Sequence, residues 1–198
     1  TADAFFDKTK KGLNAIHGNF KHSVLKDTDG ILRSGYKQKN KDGKWEVGGF
    51  QSTVICRTMD NPEVFKGERV SLMVFEEAGE FKHLKNAYMS SKACFMDGNV
   101  QFGVPVVGGT GGDISRASKD FMDMYYEHEA YNLVPMFIPA SRAYYSYFNI
   151  KSGKEDEVGA RKVLLEEREN IAKSGDREAF NLHIQHYPLE VQEAFLNT

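Results

Sequence analysis

Two adjacent acids, Glu76 and Glu77, directly follow a short apolar run, Leu72-Met73-Val74-Phe75. Further along, a second apolar run, Val104-Pro105-Val106-Val107, stops at Gly108-Gly109-Thr110-Gly111-Gly112-Asp113. A carboxylate pair at the end of a strand suits phosphoryl chemistry. One acid holds a hydrated Mg²⁺, and the next orients or deprotonates the water that attacks a terminal phosphate. Neighbouring side chains point in different directions, so the roles divide as Glu76 for the metal and Glu77 for the water. Glycines around Thr110 let the backbone approach a ligand closely and turn N–H groups toward an anion. The Thr110 hydroxyl adds a group able to sense a phosphate. Taken singly, the acid pair fits the start of a helix equally well, and the glycine cluster fits a flexible loop. Their occurrence on successive strands, in this order, favours chemistry.

Both apolar runs have strand length and no polar alternation, the pattern of a parallel sheet covered on both faces. In open α/β sheets ligands bind at the carboxyl ends of the strands, where the acids and glycines fall. Around them the chain reads as follows. Residues 1–16 are helical, with Phe5, Leu13 and Ile16 on an apolar stripe. Residues 1–49 continue as a β-rich excursion punctuated by Asp29-Gly30 and Asp42-Gly43, which signal hairpins. A core sheet spans 50–139, with strands at 50–58, 70–75, 100–107 and 133–138. Helices are expected at 80–93, with Phe81, Leu84, Tyr88 and Met89 inward, and from a cap at Asp113 or Ser115 to about Glu129. Residues 140–198 form a helical extension, with helices over 155–173, from the Asp176 cap to Pro188, and from near Glu190. The fold class is α/β, a sheet with flanking helices and a C-terminal helical extension in one domain.

The chain has 198 residues and a net charge of −2, enough for one domain with a core and without a global nucleic-acid footprint. Residues 1–48 hold ten Lys/Arg against six Asp/Glu. This local excess suits a solvated face more often than a phosphate contact. The two cysteines, Cys56 and Cys94, lack metal spacing and read as reduced thiols. No apolar run approaches the roughly 20 residues of a membrane span, and no signal peptide is visible.

Four segments resemble the ATPase region of the large terminase subunit, the DNA-packaging motor of tailed bacteriophages. NPEVFKG at 61–67 is similar to the loop before the Walker B strand. LMVFEEAG at 72–79 is similar to Walker B with its adjacent catalytic glutamate, and VVGGTGGD at 106–113 to the coupling motif. Tyr187-Pro188-Leu189 with Glu193-Ala194-Phe195 resembles the segment that closes the ATPase region. The resemblance spans about residues 50–198. It implies a partial P-loop NTPase-type sheet, Mg²⁺ and ATP as cofactors, and Glu77 as the catalytic residue. Glu76 takes the metal through water, where the family has aspartate. Gly109, Thr110, Gly111 and Gly112 become the coupling, phosphate-sensing turn. It further implies double-stranded DNA, a portal protein and a small terminase subunit as partners, a ring of subunits, and the cytoplasm of an infected bacterial host.

A phosphate-cradling G-x-x-x-x-G-K-[ST] run is absent from the sequence. Since the chain opens Thr1-Ala2-Asp3, the expectation is a middle piece, with the P-loop upstream and a nuclease domain downstream, inactive alone. Two other readings stay open, a helicase-like ATPase core and a non-catalytic binding or assembly module. His183 and His186, and His83 beside Glu80, have weak chelating spacing and read as helix-surface residues. The aromatic run 144–148 reads as core cover before base stacking. Arg142 and Arg161 are candidate arginine fingers that no motif singles out.

Overall fold

The computed structural model describes residues 2–18, 20, 23–58, 61, 63–111, 118–142 and 144–196. The chain is mixed α/β, with small sheets and short helices, in two compact units, Thr1–Val64 and Phe65–Thr198. No helix among the described residues is long and apolar enough to cross a membrane.

The first unit opens with α1 (Ala2–Asn14). Its buried residue is Phe6, while Phe5 and Ile16 stay exposed, so the apolar stripe lies one position from the expected one. Lys10 sits over the Phe6 ring, 4.5 Å from its centroid, and reaches Asp27 at 2.6 Å. Strands β1 (Val24–Thr28) and β2 (Ile31–Ser34) form a hairpin across Asp29-Gly30, as the dipeptide predicts. A second hairpin joins β3 (Tyr36–Lys39) to β4 (Trp45–Gly48) and pairs with no other strand among the described residues. Strand β5 (Thr53–Ile55) corrects the expectation for 50–58: it pairs antiparallel with β2 in the order β1-β2-β5, and it does not join the core sheet. A strand's own residues encode its propensity, not its partner.

The second unit is built on a parallel pair, β6 (Leu72–Phe75) and β9 (Val104–Val107). Helix α2 (Leu84–Ser91) and a short hairpin, β7 (Met96–Asp97) with β8 (Val100–Gln101), lie between them in sequence. Met73, Phe75 and Pro105 face the core, but Leu72, Val74, Val104 and Val106 are 43–59% exposed. The pair is therefore covered on one face and not, as expected, on both. On the buried side the Tyr88 ring packs 5.9 Å from Phe75, 5.7 Å from Phe95 and 5.9 Å from Tyr131. Its hydroxyl donates to the Tyr131 carbonyl at 2.7 Å, which satisfies the buried phenol oxygen. The inward residues of α2 are Leu84, Ala87 and Tyr88; Met89 is exposed. The helix starts later than the expected residue 80 because a 3-10 turn, Ala78–Glu80, intervenes.

Helix α3 (Lys119–Tyr126) buries Met124. The caps proposed for it, Asp113 and Ser115, lie outside the described residues. The run 133–138 forms no strand: Val134 is 91% and Met136 75% exposed, and no neighbour among the described residues pairs with it. A two-residue hairpin, β10 (Phe148–Asn149) with β11 (Lys154–Glu155), precedes α4 (Glu157–Lys173). Asp156 caps α4 by accepting from the Gly159 N–H, and Asp176 caps α5 (Arg177–His186) in the same way through Ala179. A 3-10 turn, Val191–Phe195, closes the unit with a reciprocal Glu190–Glu193 capping box. Cys94 is buried, its Sγ 3.0 Å from the Phe65 carbonyl, and neither it nor Cys56 is in a disulfide.

The helical extension sets a pH dependence. Burial pushes the His183 imidazole below its ordinary value of 6.5, against the opposing pull of Glu167, and its Nε2 has no hydrogen bond. Burial pushes Glu193 upward, but the Arg168 guanidinium and the Leu189 and Glu190 N–H groups outweigh it and hold the carboxyl below 4.5. Both groups bind protons less readily folded than unfolded, so stability is full above pH 6.5 and falls with acid. His183 acts first, below 6.5, and Glu193 follows below 4.5. Melting temperature should decline between pH 7 and 5 (about the titration range of histidine), and His183→Gln should flatten that decline. An unchanged slope in the variant would contradict the assignment.

Candidate functional site

The register Leu72↔Val104 through Phe75↔Val107 ends both strands at the same level. Glu76-Glu77 and Gly108-Gly109-Thr110 therefore leave the sheet side by side. Backbone pairing continues past the strands: the Gly108 N–H donates to Phe75 O at 3.0 Å, and the Ala78 N–H to Gly108 O at 2.9 Å. This pins the first glycine of the turn to the residues that flank the two acids.

Glu77 is one of three non-glycine residues with positive φ among the described residues, at φ 54° and ψ 46°. A left-handed glutamate costs about 1–2 kcal/mol, a strain that collects at functional sites. The conformation turns the chain sharply off the strand into the 3-10 turn. Glu77 occupies the position before that turn, yet its side chain caps nothing. Neither acid makes a hydrogen bond or ion pair with another described residue, and both are exposed. Glu77 thus does begin a short 3-10 turn, but it makes no capping hydrogen bond there.

The glycines are required by close approach. A Cβ on Gly109 would stand 2.7 Å from Ala78 N and 2.9 Å from Glu77 Cα. A Cβ on Gly111 would fall 1.6 Å from the Ala194 carbonyl oxygen. The glycine turn is thus wedged between the Glu77 backbone and the closing 3-10 turn. Three segments distant in sequence, 72–79, 106–111 and 193–195, meet around it. Gly112 lies outside the described residues. Thr110 is exposed at the mouth of the turn. Gly111→Ala should destabilise the unit by about 1–3 kcal/mol, the usual cost of forcing volume into a packed site. Chemical denaturation checks this, and an unshifted midpoint would contradict the packing.

Two helices brace the site. Asp120 of α3 accepts from the Lys85 N–H of α2 at 3.2 Å, and Asp123 meets the Lys85 ammonium at 2.5 Å. The hydrogen bond to Asp123 holds the ammonium above its ordinary value. The helix that follows the acids is thereby tied to the helix that follows the glycine turn. From the other side Phe195 packs its ring against Phe121 at 5.7 Å and Tyr125 at 6.0 Å.

No described group of three or more His, Cys, Asp or Glu side chains could cage a metal. The free, exposed carboxylates suit instead a hard cation that keeps its waters and takes one carboxylate plus substrate phosphates, as Mg²⁺ does. The other candidates are engaged elsewhere. Arg142 pairs with Glu155 and Glu157, and Arg161 with Glu190. His183 lies against Tyr187, ring centroids 5.1 Å apart, and forms no chelating set with His186. Within the aromatic run, Tyr144 stacks on Tyr147 and donates to Glu167 at 3.1 Å, whereas Tyr145 is 78% exposed.

Sequence reasoning missed the most elaborate polar cluster. Arg168 of α4, 8% exposed, forks onto both Glu193 oxygens at 2.9 and 3.0 Å and donates to the Tyr187 carbonyl at 2.8 Å. Glu193 also accepts from the Leu189 N–H at 2.6 Å. The only signal was the Glu190-x-x-Glu193 spacing, easily passed over because glutamate is a poor cap residue. No family model matches the chain, and neither the curated proteins nor the solved structures hold a match to it.

Proposed function

We propose that the paired strand ends form the hydrolytic edge of a P-loop-type ATPase, and that the protein acts in a phage DNA-packaging motor of the large-terminase kind. The observation that carries this reading is the contact of Gly109 with the backbone of Glu77. It brings the phosphate-sensing turn against the residue able to activate water. Glu76 would hold Mg²⁺, which neutralises phosphate charge when bound. Glu77 orients the attacking water and accepts its proton. Its left-handed backbone sets it apart from Glu76, which directly follows the strand. Thr110 and the N–H groups of the turn would receive the terminal phosphate. Double-stranded DNA, a portal protein, a small terminase subunit, a ring of subunits and the cytoplasm of an infected bacterium belong to this same reading.

These 198 residues contain no G-x-x-x-x-G-K-[ST] run, so the phosphate cradle must come from outside them. The chain alone should show no ATP turnover. A form extended to include such a run should hydrolyse ATP in a Mg²⁺-dependent way. Turnover by the 198-residue chain, or none by the extended form with Mg²⁺ present, would overturn the proposal.

A further inference from the structure

We infer that the β3–β4 hairpin is a docking surface for B-form duplex DNA, read without sequence preference through its phosphates. The inference deepens the proposed function, on which its choice of partner rests, by locating the DNA contact; its test is separate from hydrolysis. The hairpin is a two-stranded ribbon whose outer edges carry no further strand among the described residues. Its register pairs Lys37 with Val47 and Lys39 with Trp45, so these four side chains share one face. Tyr36, Gln38 and Glu46 occupy the other face, where Gln38 donates to Glu46 at 2.8 Å and ties down the only acid within the two strands.

The tip adds Lys41 and Lys44, with the exposed Asp42 between them, so the ribbon and its tip carry four lysines against two acids. The tip is held rigid by Asn40, whose side-chain oxygen accepts from the Asp42 and Lys44 N–H groups at 3.0 and 2.9 Å, and by Gly43 at φ 75°. All four lysines are exposed, and none has a carboxylate partner among the described residues. Trp45 is 69% exposed, with the Lys39 ammonium 5.4 Å from its ring centroid. A large aromatic left in water among unpaired cations marks a surface that expects a partner.

Charge complementarity selects a polyanion, and shape selects which one. The major groove of B-DNA, about 12 Å wide, admits a two-stranded ribbon. The narrow major groove of A-form RNA does not admit side chains. Along the groove, lysines on the ribbon and at its tip reach phosphates, while Trp45 packs against the sugar–phosphate wall and reads no base.

Trp45 is the only tryptophan in the chain, so its emission reports on this surface alone. The 198-residue chain is titrated with a mixed-sequence DNA duplex of about two helical turns at several salt concentrations. Saturable quenching is expected. Log K should fall against log salt with a slope near −3.6, about −0.9 for each of four phosphates. Replacing Lys37, Lys39, Lys41 and Lys44 by Ala, with free emission unchanged to show an intact hairpin, should flatten the slope toward zero and weaken binding at least tenfold. Absent quenching, equal binding by the Ala variant, or tighter binding of single-stranded DNA or of anionic lipid vesicles would each overturn the inference. None of these readouts involves nucleotide hydrolysis, so failure here leaves the ATPase reading where it was.

Discussion

On the proposed function, Glu77→Gln should slow ATP turnover in a form extended to include a P-loop by about 10²- to 10⁴-fold, the usual worth of a positioned general base. Nucleotide affinity should stay close to its original value. Glutamine keeps the shape of the side chain and can still accept a hydrogen bond from water, but it cannot take the proton. The loss should therefore fall on kcat and leave KM nearly unchanged. Glu76→Gln should behave differently. It weakens the hold on Mg²⁺, so turnover should drop at low Mg²⁺ and recover as Mg²⁺ is raised. The contrast separates two acids that are adjacent in sequence and both exposed. Recovery of the Glu77 variant at high Mg²⁺, or retention of more than a tenth of its turnover, would reverse or remove the assigned roles.

Arg168→Met should destabilise the second unit by about 3–5 kcal/mol, the cost of leaving one partner of a buried ion pair without its counter-charge. At this chain length that corresponds to roughly 10 °C in melting temperature. Arg168 and Glu193 have side chains only 10% and 24% exposed. Solvent therefore cannot take over the lost contacts as it would at Arg161–Glu190 on the surface. The damage should reach the site, because Glu193 fixes the 3-10 turn whose Ala194 carbonyl lies against Gly111. Arg168→Met combined with Glu193→Gln should recover part of the loss, since no unpaired charge then remains. A single variant that melts within 1–2 °C of the parent, below about 1 kcal/mol, would show that the pair does not hold the turn.

The positions of β6 and β9 were legible because each is a short apolar run with an abrupt polar or glycine-rich end. Their parallel pairing followed from the helix between them. Which of the two faces would stay open was not legible. Leu72, Val74, Val104 and Val106 make the runs look buried on both sides, and hydrophobicity records what a residue prefers, not what covers it. Strand 53–55 was visible as β-branched residues, but its partner β2 lies in the first unit and left no local mark. The opposite error came at 133–138, where an apolar run suggested a strand that lacks a pairing neighbour among the described residues. At the site, residue types pointed to Glu76, Glu77 and Thr110. The left-handed turn at Glu77 carried no signal, since positive φ is expected at glycine and asparagine and not at glutamate. Which of many arginines would be buried was equally unreadable: Arg168 sits in a helix whose charged residues look alike in sequence.

In the proposed site Glu77 and Thr110 serve one water and one phosphate from neighbouring strand ends. A double-mutant cycle in the P-loop-bearing form tests this directly, with kcat measured for Glu77→Gln, Thr110→Val and the two together. Groups that act as a unit are strongly non-additive. The double variant should turn over about as fast as Glu77→Gln alone. If the two losses multiply, or if Thr110→Val leaves kcat untouched, the two strand ends do not form one site.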